Sequence, residues 1–154
     1  MPKLLRDGAI VEDTWLPADP DTAPGDNRIC TLEQWNALED KRGSAVQLEP
    51  GDGIEDLAGA LGDLALVAVN FPVFTDGRGF SYARELRERG YAGELRASGH
   101  FIRDQLTYLC RVGFNAFQPA DESVLQGALD SLADFSEFYQ ASIDQPLPLF
   151  RRRA

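Results

Sequence analysis

Hydrophobic and polar positions change their spacing along this chain, and the change predicts a sheet flanked by helices. Leu64–Phe71 is apolar without polar alternation, which is typical of a parallel strand buried on both faces. Further along, Ile102, Leu106, Leu109 and Cys110 follow the i, i+4, i+7, i+8 spacing of one helix face. Glycine-containing polar segments separate these stretches, so the chain predicts strands that alternate with helices.

The alternation begins near Ala45 and predicts an α/β fold. The predicted strands cover residues 45–48, 64–71, 94–98 and 114–117, and the predicted helices cover residues 54–61, 80–89, 100–112 and a segment capped by Asp121. Short crossovers of this kind give parallel strands with right-handed connections. Either half of a (βα)8 barrel or an open α/β sheet fits this pattern. We favour a small, four-stranded half-barrel-like sheet with an N-terminal β-hairpin.

The whole chain, residues 1–154, is predicted to form one domain. Residues 1–16 are the hairpin, in which Asp7 and Gly8 suit a two-residue turn, and residues 17–28 are a surface loop. The α/β core spans residues 29–140 and begins with a capping box formed by Thr31 and Gln34. Residues 141–154 are a tail that we expect to be loosely held.

Composition narrows the classes of function. The net charge of −10 makes binding to a nucleic-acid backbone unfavourable. There is no long apolar run for a membrane span, and the two cysteines, Cys30 and Cys110, have no metal-ligand spacing. We therefore expect a cytoplasmic protein with no nucleic-acid or membrane partner, no metal and no cofactor. Most basic residues are arginines, which weakly favours an anion site.

The first candidate site follows the apolar strand. Thr75, Asp76, Gly77, Arg78 and Gly79 join that strand to the next helix. Two glycines let the backbone approach a ligand, the helix start favours an anion, and arginine adds a forked donor. Neither the P-loop ending nor the dinucleotide-binding glycine spacing is present. A plain turn with a solvated arginine fits the same residues.

The second candidate site follows the next strand, where His100, Arg103, Asp104 and Gln105 cluster near a helix start. His100 is the only histidine and would suit proton transfer at neutral pH. A capping role for the histidine and a solvated pair of arginine and aspartate are the simpler interpretations. Because the carboxyl ends of parallel strands share one edge of a sheet, both candidate sites are expected to meet there, with Arg96 close by.

Several segments resemble a known bacterial family of unknown function. The similar segments are Phe71–Arg87, Gly93–Ala97, Arg103–Leu109 and Gly113–Phe117, with further likeness at residues 1–8 and 134–140. Members of that family are often labelled as oxidoreductases of sulfite reduction, because their genes lie beside those of assimilatory sulfite reductase. The label therefore reflects gene neighbourhood, and it implies a role in sulfur assimilation without implying a reaction.

Two functions remain open, and the sequence does not decide whether the protein is an enzyme. The first is an accessory protein that assists or docks to sulfite reductase. The second is a small α/β enzyme or binder for a sulfur oxyanion or a phosphorylated sulfur metabolite. For the second, Asp76, Asp104 and Arg103 are the candidate catalytic residues. The candidate ligand-binding residues are Thr75, Gly77, Arg78, Gly79, Arg96, His100 and Gln105.

Overall fold

The computed structural model describes residues 3–25, 27–72, 78–101, 105–121 and 123–133, without the side chains of residues 78, 129 and 131–133. These residues contain a seven-stranded sheet and four α-helices. The strands are β1 Lys3–Arg6, β2 Ala9–Glu12, β3 Cys30–Thr31, β4 Ser44–Leu48, β5 Leu64–Phe71, β6 Glu94–Gly99 and β7 Ala116–Pro119. The helices are α1 Leu32–Asn36, α2 Arg78–Glu88, α3 Leu106–Val112 and α4 Val124–Ala133.

The sheet is open, and its order is β2-β1-β7-β6-β5-β4-β3. Strands β3 to β7 are parallel and lie beside one another in chain order, while the hairpin β1–β2 adds to β7 in antiparallel orientation. The predicted α/β class and N-terminal hairpin are confirmed. The sheet does not close into a barrel, and the two-residue strand β3, which the sequence pattern did not indicate, extends it at one edge.

The helices pack on one face of the sheet. Trp35, Leu86, Leu109 and Leu125, one from each of α1 to α4, belong to the same apolar core as Val67 of β5. A second, smaller core on the other face contains Ile29, Ala45 and Leu66, with Trp15 and Ala18 packed against it. Sequential strand order with right-handed crossovers leaves the helices on a single side, as in part of a (βα)8 barrel.

Local signals explain several element boundaries. Asp7 and Gly8 have φ of 53° and 85°, as a two-residue hairpin turn requires. Thr31 caps α1 through the predicted capping box with Gln34. Gly113 ends α3 in the left-handed conformation with φ of 119°. These short-range predictions are confirmed.

Three predicted elements differ from the structure. Residues 54–61 form no α-helix; two 3₁₀ turns, Glu55–Leu57 and Leu61–Asp63, stand there instead, and Gly59 between them lowers the helix propensity of the segment. The last parallel strand begins at Ala116, two residues later than predicted. Helix α3 begins at Leu106 within the described residues, and residues 102–104 lie outside them, as does the tail 141–154.

Candidate functional site

The two strands that precede the predicted segments end side by side at the carboxyl edge of the sheet. Phe71 and Gly99, the last residues of β5 and β6, are paired in register. The backbone N–H of His100 donates to the carbonyl of Phe71 at 2.6 Å. The polar segments that follow the two strands therefore start from neighbouring positions, as the parallel topology predicts.

Several of the predicted site residues lie outside the described part of the chain. They are Thr75, Asp76, Gly77, Arg103 and Asp104, together with the side chain of Arg78. Their roles therefore stay predictions. The residues that the structure does describe are Gly79, Arg96, His100 and Gln105.

Gly79 is buried in the first turn of α2, where the helix touches β5. A Cβ atom at this position would lie 2.7 Å from the ring of Phe71 and 2.8 Å from Cγ1 of Val69. The absence of a side chain thus lets the helix approach the strand closely, which explains the glycine without a ligand. At the same edge, His100 is exposed and Gln105 is half-buried immediately before α3.

Arg96 lies in the middle of β6, on the face opposite the helices, and its side chain is fully buried. Its Nη1 donates to Oδ2 of Asp13 at 3.1 Å and to Oε1 of Gln118 at 3.2 Å. Its Nε donates to Oε2 of Glu94 at 2.9 Å. Gln118 in turn donates to Oδ2 of Asp13 at 2.9 Å, so the arginine sits in a connected polar network rather than at the carboxyl edge.

The charges of this network balance. Arg6 pairs with Glu94 at 3.2 Å, so two arginines, Arg6 and Arg96, face two carboxylates, Asp13 and Glu94. The Nη2 atom of Arg96 is 2.8 Å from Oε2 of Glu94, but the contact lacks hydrogen-bond alignment, and this buried atom has no other partner among the described residues. We read the contact as an ion pair, since charge attraction does not need that alignment. A neutral cluster of this kind stabilises the sheet face and offers little attraction to an oxyanion.

A row of polar side chains crosses the helix-free face next to the carboxyl edge. Asn70, Ser98 and Gln118 are aligned on neighbouring strands, and each is half-buried. Asn70 donates to Oε1 of Glu49 at 2.8 Å, and Gln47 donates to Oε2 of the same carboxylate at 2.7 Å. The structure therefore adds Asn70, Ser98 and Gln118, which stand at the strand ends where a parallel sheet places ligands, to the candidate site residues.

A signal for this row was present in β6. Glu94, Arg96 and Ser98 alternate with the buried Leu95 and Ala97, which is the period-two pattern of a strand with one polar face. Gly99 follows with φ of 101°, and a Cβ atom there would lie 2.5 Å from the carbonyl oxygen of Phe71 and 2.6 Å from Oδ1 of Asn70. The absence of a side chain at Gly99 lets the end of β5 and the side chain of Asn70 lie directly against β6.

An aromatic stack leads from the carboxyl edge to the surface. The ring of Phe80 lies 5.4 Å from that of Phe71, and the ring of Tyr108 lies edge-on at 4.9 Å from Phe80. Arg84 donates to the Tyr108 hydroxyl at 3.3 Å, and both side chains are exposed. Tyr108 therefore lies next to the start of α3, and Arg84 reaches it from the middle of α2.

The described residues contain neither a membrane-spanning helix nor a cluster of metal-ligating side chains. Across these residues, no helix combines the length and the apolar character that a membrane crossing requires. No group of three or more histidine, cysteine, aspartate or glutamate side chains within the same residues could hold a metal ion.

Comparison with known proteins gives a family and no closer relative. Residues 45–150, which include all parallel strands except β3, match the family described as "Bacterial protein of unknown function (DUF934)". No curated protein and no solved structure matches the chain. The match covers more than half of the sequence and includes both candidate segments, and the chain therefore belongs to this bacterial family of unknown function.

Proposed function

We propose that this protein is an accessory factor of assimilatory sulfite reduction that docks to sulfite reductase. The proposal is supported by membership of the bacterial family and by the resemblance of residues 71–117 to sequences whose genes accompany sulfite reductase. The family match by itself names no pathway, so the link to sulfur assimilation depends on that resemblance.

The distribution of charge supports docking to a basic partner and is the structural observation on which the proposal relies. No lysine or arginine occurs between Arg42 and Arg78, whereas this stretch contains Glu49, Asp52, Glu55, Asp56, Asp63 and Asp76. Asp52, Glu55 and Asp56 are exposed beyond the end of β4. The amide of Asn36 on α1 donates to Asp56 at 2.9 Å, which joins this segment to the helix that carries the exposed Glu33.

A concentrated negative surface accelerates association with a positively charged protein and makes the rate sensitive to salt. We therefore expect purified sulfite reductase to bind the immobilised protein at low ionic strength, with an association rate that falls steeply as salt rises. The Glu33→Lys/Glu55→Lys double variant should slow association about tenfold or more. Both side chains are exposed, so the fold should be retained.

A matched control separates a specific surface from overall charge. Glu12 and Glu88 are also exposed, on β2 and at the end of α2, and the Glu12→Lys/Glu88→Lys variant has the same net charge as the first double variant. This control variant should associate with sulfite reductase at most of the rate of the unaltered protein. Equal loss in both variants, or no binding of sulfite reductase by the unaltered protein, would contradict the docking proposal.

A second function, oxyanion binding at the carboxyl edge, is favoured by one observation. The ends of β5 and β6 are paired at Phe71 and Gly99, and α2 begins at Arg78 close to the end of β5. Amides at a helix start attract anions, and Arg78 would add a forked contact. Calorimetry with sulfite, sulfate and adenylyl sulfate tests this function. Binding that weakens in Arg78→Ala supports it, and heat changes equal to buffer dilution exclude it.

A further inference from the structure

A cleft of about 540 Å³ opens at the amino-terminal edge of β3 and β4, opposite the carboxyl edge discussed above. It lies between residues 15–25 and 27–30 on one side and the connection from α1 to β4 on the other. The lining residues that matter for its chemistry are Trp15, Arg28, Cys30, Leu38, Arg42 and Ala45. Because of its position, the cleft is independent of the proposed function.

Apolar side chains line part of the cleft, next to uncharged polar ones. Cys30 and Ala45 are buried, while Trp15 and Leu38 are half-buried and leave part of their surface toward the opening. Burial raises the pKa of the Cys30 thiol, so this group stays neutral at physiological pH. An indole and aliphatic side chains at this position suit a flat aromatic ring.

Two guanidinium groups line the same cleft. Arg28 donates from Nη1 to the carbonyl of Pro17 at 2.9 Å and is close enough to the Asp19 carboxylate to interact with it electrostatically, while its other nitrogens have no hydrogen-bond partner in the described part of the chain. Arg42 makes a forked contact with Asp40 at 3.0 and 2.9 Å, but both side chains are largely exposed, at 81% and 61%. Exposed ion pairs contribute little to stability, so a ligand anion can replace Asp40 at little cost.

Hydrogen bonds hold the wall of the cleft in place. Leu16 and Asn27 are joined by a 2.6 Å backbone hydrogen bond, and Ile29 donates to Leu16 at 2.9 Å. Gln34 of α1 donates to the carbonyls of Asp19 and Thr22 at 2.8 and 2.9 Å. Long segments without regular structure are uncommon in compact domains, and ordered ones are usually functional. This segment is held in a conformation that leaves a cleft beneath it.

We infer that the cleft binds a small molecule in which a planar aromatic ring carries an anionic group. The ring rests against Trp15 and the other apolar side chains of the lining, and the anion contacts Arg28 and Arg42 at the opening. A volume of about 540 Å³ lies within the range of small-molecule sites in proteins. Forked arginine contacts give such a site selectivity for a carboxylate, sulfonate or phosphate over a neutral substituent.

Calorimetry on the full chain with adenosine monophosphate and 2-naphthalenesulfonate tests the inference. Adenosine has the ring without the anion, and inorganic phosphate has the anion without the ring, so each should bind at least about tenfold more weakly than adenosine monophosphate. Arg42→Gln should lower the affinity for the nucleotide a few-fold, about fivefold at most, because ion pairs of an exposed arginine are weak. Asp40→Asn should raise the affinity, because it removes the competing carboxylate.

Arg89→Gln is the matched control, since Arg89 is an exposed arginine that follows α2 and does not line the cleft. Its affinity for the nucleotide should equal that of the unaltered protein. The indole N–H resonance of Trp15 should also shift on titration. No binding of either aromatic probe at about 5 mM, which corresponds to roughly −3 kcal/mol, overturns the inference. Equal losses in Arg42→Gln and Arg89→Gln overturn it as well.

Discussion

The Arg96 guanidinium and the Asp13 carboxylate are 3.1 Å apart, although 83 positions separate them in the sequence. Their side chains are 0% and 4% exposed. The contact fastens the segment that follows β2 to the centre of the sheet. Asp13→Ala leaves the arginine with one carboxylate fewer in a buried site, so we expect the free energy of unfolding to fall by about 3–5 kcal/mol, measured by urea denaturation.

Two further variants make this measurement specific. Asp40→Ala removes the carboxylate of an exposed pair with Arg42 and should change the free energy of unfolding by less than about 1 kcal/mol. Asp13→Ala combined with Arg96→Met removes both buried charges and should be more stable than Asp13→Ala alone. If Asp13→Ala is no more destabilising than Asp40→Ala, the buried pair of Asp13 and Arg96 does not hold the segment after β2 against the sheet.

Gly99 and Gly90 have nearly the same φ angle in different surroundings. Their φ angles are 101° and 97°, yet a Cβ atom at Gly99 would lie 2.5 Å from the Phe71 carbonyl, while one at Gly90 would meet nothing within 4 Å. Gly90→Ala should therefore cost only backbone strain, about 1 kcal/mol, and Gly99→Ala should cost at least about 3 kcal/mol. Thermal unfolding of the two variants gives the comparison, and equal losses would show that the contact with Phe71 is unimportant.

Much of the fold could be predicted because the decisive signals are local. The Asp7–Gly8 turn, the capping box at Thr31 and the apolar run Leu64–Val69 of β5 each depend on a few consecutive residues. Strand β3 was missed because two residues are too few for a periodic pattern. Residues 54–61 were misassigned because spacing alone does not separate an α-helix from successive 3₁₀ turns.

The sequence predicts which strand ends meet at one edge of the sheet, but it does not predict which buried residues contact one another. Parallel strands place the segments after β5 and β6 at one edge, and the pairing of Phe71 with Gly99 agrees with that expectation. The position of Arg96 was not predictable, because its partners Asp13 and Gln118 are distant in sequence. A single strand does not reveal which neighbour will neutralise a buried charge.

Substitution of Gly79 tests whether close packing against β5 is the reason for a glycine at the start of α2. A Cβ atom there would lie 2.7 Å from the far end of the Phe71 ring. Gly79→Ala should lower the free energy of unfolding by about 1–3 kcal/mol, the usual cost of overpacking. In a Phe71→Leu background the added methyl group has more room, so the further loss caused by Gly79→Ala should be smaller. Double-mutant analysis by urea denaturation measures this coupling, and strictly additive losses would exclude it.

Alkaline pH should lower the free energy of unfolding, because the fold buries a thiol and a phenol in their protonated forms. Burial raises the pKa of the Cys110 thiol to about 12 and also raises the pKa of the Tyr91 phenol. An unfolded cysteine ionises near pH 8.5, so above that pH the unfolded state releases a proton that the folded state retains. The stabilising contribution of Cys110 is therefore complete below about pH 8.5 and is lost as pH rises toward 12.

Between pH 8.5 and 10, this single group should reduce the free energy of unfolding by about 2 kcal/mol, measured by urea denaturation at each pH. Cys110→Ala starts from a lower stability because it leaves a small cavity, but its decline over the same interval should be shallower by that amount. Cys30 contributes in the same direction, since burial also raises the pKa of its thiol. Parallel pH profiles for the unaltered protein and Cys110→Ala would mean that the Cys110 thiol ionises as readily in the folded state as in the unfolded state.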